Sequence, residues 1–330
     1  MYEMGDKRLL YIDIARGIGI LMVMYSHFMY NNSNVMVYIS GCYIPLFFVI
    51  SGYLAKTSNG WEGYFNRIKY LLGPYFFFSF VFCIIYSVMN KKLTMLNIIG
   101  VFYSRFFLYP NEIEPNVRLM EIWNSPMWFL TAMVVSLLIW EYLSSLRMKN
   151  ALFMSIFLLI CFFMMQKIPI LLPWSVDTAP LFVLFILVGY RVKYWNLINR
   201  IHWIYYLLFL FVYVLICHFN GIVNLSIRDY GLMPIIILLS GILGSILIIR
   251  ISICIESIPV ASALLSLIGR NSTCVFCTHV FVFTILYKVI GFTVPSLHPY
   301  FLLIVNLTTA SIVGVILSVI LKKYLPFFFR

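Results

Sequence analysis

The first long apolar run, residues 9–30, carries three side chains that a bilayer disfavours: Asp13, Arg16 and His27. Their types suit definite chemistry. An arginine fork, permanently charged, holds a phosphate or an amide carbonyl. An imidazole titrating near neutrality takes a proton from a hydroxyl or carries an acyl group. In a helix, the eleven residues from Arg16 to His27 bring the chain back to within about 20° of one azimuth and about 16 Å along the axis. Asp13 falls on the same face. A charge at mid-helix costs about 2.5–3.5 kcal/mol on insertion scales, so this stripe must face protein or a watery cavity.

A plainer reading is open for two of them, because Asp13 and Arg16 stand at i and i+3 and can form a local ion pair that anchors the helix end. His27 has no such local partner. A second histidine, His279, lies within another apolar run, whereas His202, His218 and His298 fall at run ends where the interface hydrates them. Asp177, three residues after Trp174, opens a further run and suits either a helix N-terminus or a ligand. The seven cysteines, odd in number and nearly all in apolar stretches, read as buried thiols. Cys274 and Cys277 form a CxxC with no second pair or nearby carboxylate, so no metal is expected.

The elements that must position these groups follow from composition. Of 330 residues, 63% are hydrophobic and 10% charged, with a mean hydropathy of +0.99. So few charges cannot cover a soluble domain of this size. Runs near the roughly 20 residues that cross a bilayer, too continuous for a barrel's alternation, predict an all-α, polytopic bundle of about ten transmembrane helices. They read as 9–30, 35–54, 70–89, 127–143, 151–165, 176–190, 201–217, 232–249, 273–290 and 300–321. The first is too long for a signal peptide, contains Arg16 and lacks a cleavage site. With the N-terminus placed inside, inner segments hold most of the 23 basic residues, among them Lys7, Arg8, Lys56, Arg67, Arg147, Lys149, Arg191, Arg250, Arg270, Lys322 and Arg330. That bias predicts both termini in the cytoplasm and accounts for the net charge of +12 without nucleic acid. Two connections exceed simple turns. The outer one, 90–126, has an aromatic piece (101–109) suited to the interface and then Glu112, Glu114 and Glu121. The inner one, 250–270, holds Glu256 and Pro259 and suggests a surface or re-entrant helix.

Four segments in order carry a family resemblance. Arg16 and His27, within Ile12-Asp-Ile-Ala-Arg-Gly-Ile-Gly-Ile, resemble the opening signature of the acyltransferase-three family of integral membrane acyltransferases. Pro45-Leu-Phe-Phe-Val-Ile-Ser51-Gly52-Tyr53 is similar to its phenylalanine-rich segment, and Trp128-Phe129-Leu130 to its aromatic element. Gly269-Arg-Asn-Ser272 leading to His279 resembles its late segment. The resemblance spans nearly the whole chain and implies one integral membrane acyltransferase domain, 1–330, in the cytoplasmic (inner) membrane. It implies transfer of an acetyl group from cytoplasmic acetyl-CoA to hydroxyls of extracytoplasmic or lipid-linked glycans. Arg16 and His27 are then the functional pair, with His279 as partner, orienter or acyl carrier, and Asp13 and Ser51 join Arg16 at the donor. The stretch from Trp174 through Asp177 to Gly189 and Tyr190 also looks like the fucose-type sugar acetylase branch.

For the acceptor, aromatic residues on the outer side (Tyr103, Tyr109, Trp123, Trp128, Trp174) can stack on sugar faces, with Glu121, Asn124 and Asp177 bonding hydroxyls. Trp and Tyr also belt the interface of any membrane protein. The rival function is a transporter or flippase for a glycolipid or small metabolite, which needs no coenzyme. A peptidoglycan acyltransferase differs only in acceptor.

Overall fold

The computed structural model describes residues 9–29, 34–55, 60–90, 95–110, 116–145, 151–293 and 298–329. The charges expected at Lys7, Arg8, Lys56, Lys91, Lys92, Glu112, Glu114, Arg147, Lys149 and Arg330 lie outside the described residues. The chain folds as helices α1 (Leu10–Met29), α2 (Met36–Ser40), α3 (Tyr43–Tyr53), α4 (Gly60–Asn90), α5 (Met95–Tyr103), α6 (Trp128–Ser145), α7 (Ala151–Met165), α8 (Ala179–Tyr194), α9 (Leu197–Arg200), α10 (Trp203–Asn220), α11 (Pro234–Glu256), α12 (Pro259–Arg270), α13 (Ser272–Thr293) and α14 (Pro299–Tyr324). A proline at the first position, where its missing N–H costs nothing, opens α11, α12 and α14.

Among the described residues, nine helical stretches are long and apolar enough to cross a membrane, and Leu152–Met165 and Pro259–Arg270 are shorter apolar helices. The polytopic helical bundle is thus as expected, with nine candidate spans among the described residues against about ten read from the sequence. α8 runs through the middle: Phe182, Val183, Phe185 and Ile186 are fully buried, and α3, α6 and α7 pack around it. α10 shows the opposite pattern. Leu207, Leu208 and Phe211 are exposed, an apolar face suited to hydrocarbon.

Two expectations change. The run 35–54 is not one helix but two, broken at Gly41 and Cys42. Neighbours meet two carbonyls at the break, Tyr213 donating to that of Tyr38 and Ser240 to that of Gly41 at 3.4 Å, while the Val223 N–H donates to the Ser40 hydroxyl at 3.1 Å. The aromatic piece of the outer connection does not simply lie at the interface, because after Tyr103 it turns inward and buries Ser104 and Arg105.

Segment 250–270 ends as α12, packed along the first half of α1. The contact is backbone to backbone. A side-chain Cβ at Gly17 would collide with the Leu265 carbonyl, and one at Gly269 with that of Asp13. Small residues permit this approach in apolar surroundings. At the same end, the tail after α14 tucks Phe329 against Phe77 and Phe78 of α4.

Candidate active site

The end of the bundle where α1 begins gathers cations around one carboxylate. Asp13 is 2% exposed, and its oxygens meet Arg16 at 3.7 Å and Arg270 Nε at 3.2 Å. The local Asp13–Arg16 pair foreseen from spacing is present, and α12 adds a second arginine. Gly269 lets α12 close on Asp13, so the next residue, Arg270, reaches the carboxylate. Asn271 turns the chain into α13, donating to the Leu267 carbonyl at 2.8 Å while its Oδ1 accepts from Lys322 of α14 at 3.0 Å. Nearby, the hydroxyls of Tyr11 and Tyr53 bond at 2.9 Å.

At the far end of α1, His27 faces His279 of α13 with ring centroids 5.0 Å apart. Phe28 and Phe283 pack edge to face beside them at 5.9 Å. His279 is fully buried, and its Nδ1 lies 2.6 Å from the Phe276 carbonyl. A carbonyl only accepts, so Nδ1 carries the proton and Nε2 the lone pair. That Nε2 is buried and has no hydrogen-bond partner. His27, by contrast, is exposed. The pair therefore consists of one oriented imidazole with an available acceptor atom and one accessible imidazole against it. Aromatic rings wall it: Phe276 lies 5.9 Å from His279 and 5.3 Å from Phe129.

The expected acceptor residues are placed otherwise. Asp177 has 0% exposure and neither caps α8 with its side chain nor lines an open surface. One oxygen accepts from Arg105, and the other lies 3.5 Å from Arg228 Nε and accepts from the Leu172 N–H at 3.3 Å. Arg105 also donates to the carbonyls of Leu172 and Ser226, and Arg228 to those of Met165 and Ile168. This hub ties the connections α5–α6, α7–α8 and α10–α11 together. Burial pulls the pKa of Arg105 below its ordinary value, while Asp177 opposes the shift.

Glu121 is taken up by Asn97 at 2.8 Å and Arg118 at 3.2 Å. Asn124 is 2% exposed, with Nδ2 on the Ser79 carbonyl and Oδ1 unpartnered. Trp128 is buried with the Arg105 guanidinium 5.8 Å over its ring, and Trp174 donates its N–H to the Phe102 carbonyl. Ser51, expected at the donor, donates to Phe47 O at 2.8 Å in its own helix. None of these is brought to the histidine pair directly. Reasoning from sequence missed Arg105 and Arg228, although an arginine amid the aromatics of 101–109 was a signal of burial. Among the described residues, no three His, Cys, Asp or Glu side chains gather as metal ligands do. All seven cysteines are free thiols.

The acyltransferase domain model of the acyltransferase-three family matches residues 9–323, from the start of α1 to the end of α14. The chain belongs to that family. It is a multi-pass membrane acyltransferase. No curated protein and no solved structure matches it. The segments that carried the family resemblance converge in space: the α1 signature and the Gly269–His279 segment meet twice, at Asp13 with Arg270 and at His27 with His279.

Proposed function

We propose that this acyltransferase takes an acetyl group from acetyl-CoA at the cytoplasmic end of the bundle. It transfers that group to a hydroxyl of an extracytoplasmic or lipid-linked glycan, with the whole chain acting as one domain. The observation that carries this reading is the His27–His279 pair, in which His279 keeps an unpartnered Nε2 opposite an accessible imidazole.

Acetyl-CoA suits the residues present. Cations gather at one end of α1 and the histidines stand at the other, and the interval of about 16 Å between Arg16 and His27 is close to the reach of a pantetheine arm. Coenzyme A supplies an acyl group activated as a thioester. The chain's own residues do the rest. Arg16 holds a phosphate or amide carbonyl of the donor. His279, oriented by the Phe276 carbonyl, has an Nε2 lone pair available to take up an N–H of His27 as the substrates bind, which leaves the other His27 nitrogen as a base. That base takes the proton of the acceptor hydroxyl as its oxygen bonds to the acyl carbon. The carbon–sulfur bond breaks, and His27 returns the proton to the departing thiolate.

The basic residues near Asp13 support placing that end, with both termini, in the cytoplasm of the cell's inner membrane. The test is mass spectrometry of surface glycans with and without the gene. Loss of an acetyl-mass increment is expected; unchanged glycans together with no acetyl-CoA binding by the purified protein return the reading to a transporter.

A further inference from the structure

Two residues of the cationic end have had no role in the reaction so far, Arg270 and Lys322. The geometry points to them as a phosphate clamp that, with Arg16, binds the phosphorylated nucleotide end of the donor. This rests on the proposed use of acetyl-CoA.

Arg16 of α1 and Arg270 of α12 meet Asp13, and Lys322 of α14 bonds beside them at Asn271, so three helices each bring a cation to this end. A structural ion pair needs only one arginine. Here a buried carboxylate, 2% exposed, fixes two guanidinium groups that are themselves 33% and 46% exposed. Asp13 thus acts as the inner strut that aims Arg16 and Arg270 outward. Lys322 is held in the same place by its bonds to the Arg270 carbonyl at 3.4 Å and Asn271 Oδ1 at 3.0 Å. Planar forks beside a compact ammonium match a phosphate dianion, whose oxygens take several charge-assisted hydrogen bonds at once. The position is consistent with the rest of the site, since a nucleotide held here leaves its thioester at the depth of the histidine pair. Lipid headgroups carry phosphate too, and basic residues at a membrane's edge attract them.

Calorimetry in nanodiscs of zwitterionic lipid separates these sources, with coenzyme A and its 3′-dephospho form as probes. The proteins are wild type, Arg270→Ala and Lys322→Gln. Lys322→Gln leaves the Asp13 ion pairs intact and guards against a folding defect in Arg270→Ala. Each substitution is expected to weaken coenzyme A binding about tenfold or more, and to shrink the penalty for removing the 3′-phosphate. If wild type binds coenzyme A and both variants bind it equally well, the clamp is wrong and the donor reading stands. If coenzyme A binding is unchanged while native mass spectrometry of the variants, purified from membranes containing phosphatidylglycerol, shows loss of the bound lipid, the cluster is a lipid site and the clamp is likewise overturned. If wild type binds no coenzyme A, the donor reading itself fails and the clamp with it.

Discussion

His279 stands with its ring centroid 5.0 Å from that of His27, its Nδ1 committed to the Phe276 carbonyl and its buried Nε2 without a hydrogen-bond partner. The two histidines consequently have different jobs. His27→Ala is expected to abolish transfer while leaving acetyl-CoA binding largely intact, because the proposed phosphate contacts lie about three turns away. His27→Gln keeps hydrogen bonding without a titrating nitrogen and should be almost as inactive. Transfer assays with the purified variants decide this, and robust acetylation by His27→Gln would move the base to His279.

Arg16→Lys should impair transfer nearly as much as Arg16→Ala. A lysine keeps the ion pair with Asp13 but presents a point charge in place of a planar fork. Near-normal turnover by the lysine variant would reduce Arg16 to an anchor of α1.

Asp177→Asn should destabilise the fold by about 3–5 kcal/mol, because it leaves Arg105 and Arg228 buried without their carboxylate. Thermal unfolding in detergent measures it. A variant as stable as wild type would mean that the hub carries little of the stability of this end of the bundle.

Fusions of a cytoplasm-specific reporter at the C-terminus should be active, and cysteines placed in 106–110 should label from outside intact cells. The two ends of the described chain already meet across α1, α12 and α14, through Asp13, Arg270 and Lys322. An inactive fusion with inward labelling would invert the whole bundle.

How legible all this was in the sequence depends on whether a partner is near in the chain. Asp13, Arg16 and His27 stand out because an apolar background makes each polar residue costly, and the Asp13–Arg16 contact needs only helical spacing. Arg270 and Lys322 looked like ordinary cytoplasmic charges, since nothing in local periodicity tells which one returns to Asp13. Asp177 read as a helix start or a sugar contact; its true partners lie on two other connections. The break at Gly41 and Cys42 is hidden because hydropathy is unchanged across it, and the hydroxyls that meet its carbonyls, Tyr213 and Ser240, come from other helices. α4 begins ten residues before the expected span because its first turns, with Glu62, Arg67 and Lys69, are helical beyond the apolar core.

The clasp between Asp13 and Arg270 joins positions 257 apart in the sequence. During synthesis at about 5–20 residues per second, α1 therefore waits on the order of 10–50 s before its carboxylate finds that arginine. Lys322 emerges later still. Over this interval the nascent bundle has Asp13 and Arg16 but not α12, which fits the groove at Gly17. The cationic end is thus among the last parts of the protein to be assembled, and a chain released early inserts most of its helices without ever acquiring it.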